Sequence, residues 1–514
     1  MIKINNVKAN YFLLIFLAAV SVRSINLTQP LLEGAATRQV ENAMIASNFY
    51  QDKLNILYPY LNDFGKDPAY QMIEFQLIPF LGAIIYRLAG GVYESLLRCI
   101  IIFFFGLSAV FLCKLVRYYF DKTLALCAVF VFSFSPISIY LGRAFHYEMP
   151  MLFFILASLY YFSLWRDREK RIYLFISAIC CSVALLLKVI NSYVLFILLF
   201  LAAEKFRGKI FRKLDLYIFA GIILLFTVPW YMHARSVMVR YPNMYSFYYN
   251  DTLSFMWQMM KFWLSNSLFY KINFDNLVTY TLTPLGFGLA IAGFFIKSEN
   301  KNDRLMYVWL LSACILFIAA PAEATQGYYQ IHLLLPCSLL IGKSVTKLAK
   351  LNFFDKAIFG RKLFIPAILL IVFVVVTRYS IGLYRVPESL GNVVKTGKVV
   401  QSLIKKDDLL IASAGNSAEL LYYCNRRGWP FMIDLEAKRQ QDKTDGTDVS
   451  KKIYDPIEVL ERLRKEGAGY FVSASKENEF LKNKTFSEYM FTNYKLIKES
   501  PDYIIFDLRG KEKR

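Results

Sequence analysis

The chain has 514 residues, of which 56% are hydrophobic, 17% aromatic and only 19% charged, with a mean hydropathy of +0.38. Soluble domains run nearer 45–50% apolar and about 25% charged, which excludes an ordinary soluble enzyme. The net charge of +21 does not point to nucleic acid: the basic residues sit in short loops between apolar runs, as expected beside anionic lipid, and no nucleic-acid-binding module is present.

The first apolar run, residues 11–25, follows Lys3 and Lys8. Many runs follow and no small-residue cleavage pattern precedes Glu33, so it is read as an uncleaved first span. Further runs cover residues 96–116, 124–139, 149–164, 173–187, 193–203, 217–230, 285–296, 305–320, 328–341 and 363–376. Since a helix needs roughly 20 apolar residues to cross the hydrocarbon, this predicts an α-helical polytopic membrane protein of about eleven spans, with the hairpin 173–203 the least regular.

Charge asymmetry then sets orientation. With the N-terminus inside, the inside loops 114–122, 166–171, 205–213, 297–304 and 343–362 are all rich in Lys or Arg, as the positive-inside rule requires. The alternate segments, 27–94, 143–148, 235–283, 321–327 and everything after Arg378, fall outside. In the first of these, 38–49 and 75–88 show apolar residues at helical spacing, as for helices lying in the interface. The tail, 386–514, becomes charged. Short strands are predicted at 409–413, 431–434, 469–472 and 503–508, helices at 416–424 and 455–465, and a polar loop at 438–452. This alternation predicts a small extracytoplasmic α/β domain after a transmembrane catalytic domain 1–385 that includes the first outer loop 27–94. Seven of the eight Cys lie in apolar runs as small core residues, and Cys424 has no nearby disulfide partner. No Cys/His metal spacing occurs, and no internal repeat of the kind that builds many transporters is visible.

Charges inside or at the edge of a membrane are costly, so they are functional candidates by default. Arg38 and Glu41 lie within one helical turn, Glu74 follows later in the same loop, Arg143, His146 and Glu148 share the second outer loop, and Lys188 separates the halves of the 173–203 hairpin. All three histidines, His146, His233 and His332, map outside; a hydrogen-bonded structural role is the default for each. Carboxylates can act as general bases or hold a cation, while Arg and Lys hold phosphate. Internal ion pairs that merely stabilise the loops are the competing reading.

Several stretches resemble bacterial polyprenol-phosphate-dependent glycosyltransferases of the GT-C superfamily, the group of protein O-mannosyltransferases and lipid A aminoarabinose transferases. One branch reads W-R-Q-A-D-T, A-R-N-F-Y, N-I-L-Y-P and a later E-F-P. Here the stretches are Thr37-Arg38-Gln39-Val40-Glu41-Asn42, Ala46-Ser47-Asn48-Phe49-Tyr50, Asn55-Ile56-Leu57-Tyr58-Pro59 and Glu74-Phe75-Gln76. The second outer loop, Tyr140-Leu141-Gly142-Arg143-Ala144-Phe145-His146-Tyr147-Glu148-Met149-Pro150, is similar to Y-x-G-R-A-x-x-x-E-x-P. Pro229-Trp230-Tyr231 and Tyr328-Tyr329-Gln330 match weaker signatures, and Tyr422 to Trp429 is similar to Y-x-x-x-R-x-G-W. There are departures: Glu41 replaces an Asp, Thr37 a Trp, and Gln326 a histidine often found before the paired tyrosines.

The resemblance implies a GT-C fold and an inverting transfer of sugar from a polyprenyl, specifically undecaprenyl, phosphate to an extracytoplasmic acceptor: a lipid-linked or surface glycan, or a protein. It implies Glu41 as general base and Arg143 and Lys188 as stabilisers of the leaving phosphate. Glu148 would orient Arg143 or contact the sugar. Arg38, Glu74, Tyr328 and Tyr329 would line the substrate site. A divalent cation, held through Glu74, is a candidate cofactor without an assigned ligand set. Two rival readings stay open: a lipid or sugar transporter or flippase, and a non-catalytic subunit of a surface-glycan assembly.

Overall fold

A computed structural model describes residues 6–243, 252–297, 300–349, 360–414, 418–433 and 455–511. Inside a bilayer each backbone N–H and C=O must be satisfied within its own segment, so the apolar runs fold as helices. In chain order come α1 (Asn6–Ser24), α2 (Ala36–Gln51), the two-residue strands β1 (Tyr60–Leu61) and β2 (Ala69–Tyr70), and α3 (Leu77–Ala89). Next are α4 (Glu94–Tyr119), α5 (Lys122–Phe134), α6 (Pro136–Leu141), α7 (Glu148–Arg168), α8 (Arg171–Leu187), α9 (Val194–Phe206) and α10 (Leu214–Arg240).

Among the described residues, five segments are long and apolar enough to cross a membrane: Glu94–Tyr119, Glu148–Arg168, Val189–Arg212, Leu214–Arg240 and Gly327–Leu348. Ser267–Thr281 and Thr283–Phe295 pass the same test together but are bent by 102°. The bend falls at Thr283, whose φ is 64°, just before Pro284. Shorter apolar helices, among them Asn10–Ser24, Lys122–Phe134, Arg171–Leu187 and Leu370–Tyr384, accompany these. The polytopic helical build expected from composition is what the chain adopts.

Two expected runs are interrupted for readable reasons. The run at 124–139 divides at Ser135, because Pro136 begins α6 and has no N–H to continue α5. The 173–203 hairpin breaks at Lys188, after which residues Val189–Tyr193 form a tight 3-10 turn before α9. The amphipathic stretches at 38–49 and 75–88 appear as α2 and α3.

The chain divides into two compact units: Met1–Leu27 with Ser95–Ala234 and Asp251–Tyr384, and Thr28–Glu94 with Arg235–Asn250 and Arg385–Arg514. Within the first, α7 and α8 form an antiparallel hairpin turned at Glu169, whose φ is 53°. The start of α7 and the end of α8 therefore lie at the same end of the hairpin.

The second unit holds β3 (Leu409–Ser413), β4 (Gly428–Pro430), β5 (Ala468–Ser473), β6 (Tyr494–Glu499) and β7 (Ile504–Lys511) in one sheet of order β4-β3-β5-β7-β6. β3 runs parallel to β4 and β5, while β7 is antiparallel to β5 and β6. Every residue of β5 is buried, as a central strand covered on both faces requires. Phe471, Phe480, Phe486, Phe506 and Leu460 form the core against it. Asp455 caps the helix Pro456–Lys465 by accepting from the Ile457 N–H. This is the small C-terminal α/β sheet domain read from the tail. The strand expected at 431–434 forms instead at Gly428–Pro430, whose glycine permits close approach to Leu410. Residues 438–452 lie outside the described residues.

Candidate active site

In the first unit the second outer loop and the broken hairpin converge on one carboxylate. Glu148 opens α7 and is 1% exposed. The hairpin returns Lys188 to the same end, and its Nζ donates to Glu148 Oε1 at 2.6 Å. His146 Nδ1 lies 3.1 Å from Glu148 Oε2. One buried carboxylate thus engages both basic side chains through separate oxygens.

Two aromatic rings complete the surroundings of Lys188: its ammonium lies 4.9 Å from the Tyr328 ring centroid and 4.5 Å from that of Tyr329. The Tyr328 ring also lies 5.4 Å from that of His146. Its hydroxyl hydrogen-bonds Gln326, so the residue standing where relatives often carry histidine holds the tyrosine. Arg143 is buried nearby in sequence; its Nη2 donates to the Asn26 carbonyl at 2.9 Å and its guanidinium lies 4.7 Å from the Tyr384 ring. The sequence pointed to Arg143, His146, Glu148, Lys188, Tyr328 and Tyr329, but gave no sign of Asn26 or Tyr384. Their roles here depend on chain segments more than a hundred residues apart.

In the second unit the candidates of the first outer loop sit on or beside α2. Arg38 Nη1 donates to Glu41 Oε2 at 3.2 Å, across one helical turn. Glu41 is mostly buried, and so is Glu74, which precedes α3; the Gln76 side chain donates to the Glu74 carbonyl at 3.2 Å.

Two carboxylates join this neighbourhood that were not singled out in the sequence. Asp63 is 8% exposed, and burial, reinforced by the charge of Glu41, pushes its carboxyl up to about 7. Glu419, on the short helix Glu419–Cys424, is raised by burial, with Glu41 adding to the effect. Thr37 Oγ donates to Glu419 Oε1 at 2.8 Å, which gives the unusual threonine a partner.

The tail motif fastens this loop along its length. Tyr423 Oη accepts from the Leu31 N–H at 2.9 Å, and Gln51 Nε2 donates to Asn425 Oδ1 at 3.3 Å. The Arg427 guanidinium donates to the Tyr60 hydroxyl at 3.1 Å and to the Lys66 carbonyl at 3.3 Å. Backbone bonds join Gly428 N–H to the Asn62 carbonyl (3.0 Å) and Gly65 N–H to the Gly428 carbonyl (2.8 Å). Trp429 lies flat against Gly65, where φ is +66° and a Cβ would fall 2.2 Å from Trp429 Cζ2. Residues 427–429 are therefore a docking element for residues 60–66, while the motif's own Arg426 donates to the Cys424, Asn425 and Ile404 carbonyls.

Among the described residues no three His, Cys, Asp or Glu side chains gather as a metal-binding set. His233 lies beside Trp230, while His332 Nδ1 is 3.3 Å from the Tyr193 hydroxyl and its ring 6.4 Å from that of Tyr329.

Residues 76–233 match the family described as dolichyl-phosphate-mannose-protein mannosyltransferase. Among solved structures, ArnT from Cupriavidus metallidurans bound to undecaprenyl phosphate superposes with a TM-score of 0.66 at 12% identity, over 97% of this chain and 98% of that one. The Archaeoglobus fulgidus oligosaccharyltransferase gives 0.59 at 13% identity, over 95% of this chain and 71% of that one. Arabinofuranosyltransferase AftD from Mycobacteria gives 0.54 at 11% identity, over 98% of this chain and 40% of that one. No curated protein sequence matches the chain. The chain thus shares a fold with these solved structures, and its residues 76–233 match the mannosyltransferase family model.

Proposed function

We propose that the protein transfers a sugar from a polyprenyl monophosphate, undecaprenyl phosphate in a bacterium, to an acceptor outside the cytoplasm, with inversion at the anomeric carbon. The acceptor is a lipid-linked or surface glycan or a protein. The observation that carries this reading is the buried Lys188, held by Glu148 and faced by Tyr328 and Tyr329. A buried ammonium fixed by Glu148 carries the kind of charge that stabilises a phosphate oxygen.

The chemistry is a displacement. Glu41 takes the acceptor hydroxyl proton as its oxygen attacks the anomeric carbon, and the bond to the phosphate oxygen breaks with its electron pair leaving on the lipid phosphate. Lys188 and Arg143 stabilise the charge that grows there. Glu148 holds Lys188 and His146 in place, a different assignment from orienting Arg143. Arg38 holds Glu41, and Glu74 supports the loop ahead of α3. Residues 1–385 form the catalytic membrane domain of a plasma-membrane protein, and 386–514 an extracytoplasmic domain.

The test is transfer from a polyprenyl-phosphate sugar by the full chain in nanodiscs, with product stereochemistry read by NMR. Glu41→Gln is expected to lower turnover by roughly 10²–10⁴-fold while donor binding persists. Full turnover in that variant would remove Glu41 from its role; donor flipping without product would replace transfer by transport.

A further inference from the structure

Arg23, in the last turn of α1, is fully buried and takes no part in the chemistry described above. A buried guanidinium in a membrane domain is costly unless its donors are met. Nη1 donates to the Ala19 carbonyl at 2.9 Å, and Nη2 reaches the carbonyls of Ser133 (2.8 Å) and Ser138 (2.9 Å) and the Ser138 hydroxyl (3.1 Å). Every hydrogen bond that it makes among the described residues thus goes to a carbonyl or hydroxyl oxygen. Its guanidinium carbon also lies 3.4 Å from the centroid of the Phe105 ring on α4.

The place of these acceptors in the fold gives the side chain a purpose. Pro136 has no N–H to continue α5, so the last turn of α5 ends in carbonyls that the helix itself cannot satisfy. Arg23 supplies a donor to one of them, Ser133, at a helix end where a cation is favoured. Its other backbone acceptor across the fold, the Ser138 carbonyl, also takes the Gly142 N–H at 2.8 Å. Gly142 closes onto the guanidinium: a Cβ there would fall 2.2 Å from Arg23 Nε and 2.6 Å from the Ser138 carbonyl oxygen. The next residue is Arg143.

Arg143 itself returns to the same end of α1. Its Nη2 donates to the Asn26 carbonyl, three residues beyond Arg23, and its backbone N–H to the Tyr140 carbonyl at 3.1 Å. Tyr384, whose ring lies 4.7 Å from the Arg143 guanidinium, donates its hydroxyl to the Val22 carbonyl at 2.9 Å. One short segment therefore holds the Tyr384 ring at Val22, the Gly142 backbone at Arg23 and the Arg143 side chain at Asn26. All of these residues belong to the first compact unit.

Resting on the reading of Arg143 as a stabiliser of the lipid phosphate, we propose that Arg23 is a positioning residue for Arg143. Its fork fixes the α5–α6 break and Gly142 against the end of α1, and so aims the guanidinium that follows Gly142. Rigid support matters because phosphate is recognised through directed N–H bonds, which weaken steeply once their angle is lost. Lysine cannot replace it: a point charge on a flexible stem does not span Ala19, Ser133 and Ser138 together, nor lie flat between Gly142 and Phe105.

Two measurements on the full chain test this. The first is the Kd for undecaprenyl phosphate, titrated in detergent, for wild type, Arg23→Lys, Arg23→Gln, Arg143→Ala and each Arg23 variant combined with Arg143→Ala. Each Arg23 variant alone is expected to weaken binding by about 10–100-fold, as for the loss of a well-aligned hydrogen bond to a charged group. In the Arg143→Ala background the same changes should weaken it by no more than about twofold, because the group that Arg23 positions is already gone. A merely structural role predicts losses that multiply; that result, or wild-type affinity in both Arg23 variants, overturns the proposal. The second measurement needs no ligand: amide hydrogen exchange in nanodiscs. Arg23→Lys, which keeps the charge and so guards against outright unfolding, should speed exchange at residues 142–144 and leave the middle of α7 as in wild type. Unchanged exchange at 142–144, or faster exchange throughout the α7–α8 hairpin, refutes positioning. If Arg143→Ala binds undecaprenyl phosphate like wild type while exchange at 142–144 responds to Arg23, the donor-site reading of Arg143 falls and the support of the loop by Arg23 stands. If Arg143→Ala binds weakly and neither Arg23 variant does, the positioning alone falls.

Discussion

Replacing Lys188 by Met separates what the buried ion pair does for the fold from what it does for catalysis. The side chains of Lys188 and Glu148 are 6% and 1% exposed and meet at 2.6 Å. Taking away one partner of a buried pair leaves the other charge uncompensated, which costs about 3–5 kcal/mol. The two tyrosine faces against the ammonium add about 0.5–1 kcal/mol each. Lys188→Met should therefore destabilise the protein by about 4–7 kcal/mol, a Tm drop of roughly 4–7 °C for a chain of this length, read by thermal unfolding in detergent. Converting Glu148 to Gln as well removes the stranded charge, so the double variant should recover most of that stability. It should not recover transfer, because the cation opposite the leaving phosphate is still missing; a deficit of about 10²–10³-fold in kcat is expected to remain. A single variant as stable as wild type would refute the ion-pair argument. A double variant that transfers sugar at the wild-type rate would refute the role of Lys188.

Arg143→Ala should abolish retention of a polyprenyl-phosphate sugar that co-purifies with wild type, read by lipid mass spectrometry; equal retention in both would take Arg143 out of donor binding. Gly65→Ala forces a Cβ to within 2.2 Å of Trp429 at a φ of +66°. It should cost about 3 kcal/mol, of which roughly 1–2 comes from the backbone alone, and Trp429→Leu should relieve only the clash, as limited proteolysis of the tail would report. The Asp63 carboxyl lies at about 7 against an ordinary 3.8, so its contribution to stability is full below about pH 4 and is lost as pH rises through 7. Asp63→Asn should flatten that decline, leaving the variant more stable than wild type at pH 8 by up to about 4 kcal/mol, measured as Tm against pH.

The membrane class and the tail's alternation of strands and helices were legible because hydropathy and periodicity are local properties of a sequence. The second-loop residues were legible for a related reason: Arg143, His146 and Glu148 lie within six consecutive positions, and charges beside apolar runs draw notice. Lys188 stood out as a lone cation breaking an apolar hairpin, though its partner Glu148 lies 40 residues away. Asp63 and Glu419 left no such mark. Each sits in a polar stretch where acidic residues are ordinary, and what distinguishes them is burial, which follows from the docking of the tail motif. Thr37 read as a loss of the usual Trp, whereas its hydroxyl serves Glu419 across 382 positions. Strand placement at 428–430 depends on Gly428 fitting against Leu410, a tertiary constraint that propensity does not carry.

The clasp between residues 31–66 and 419–429 also sets a timetable for biosynthesis. The first loop emerges early, yet its docking partner is made about 350 residues later, which at about 5–20 residues per second is a wait of roughly 20–70 s. During that interval Gly65, Asn62 and the Leu31 N–H have yet to meet the Gly428 backbone, Trp429 and Tyr423 that they bind in the finished protein. The loop cannot reach its final form until nearly all of the chain has been inserted. Ribosome-stalled chains that end before Cys424 should therefore carry a protease-sensitive first loop, and catalytic competence arrives only with the last hundred residues.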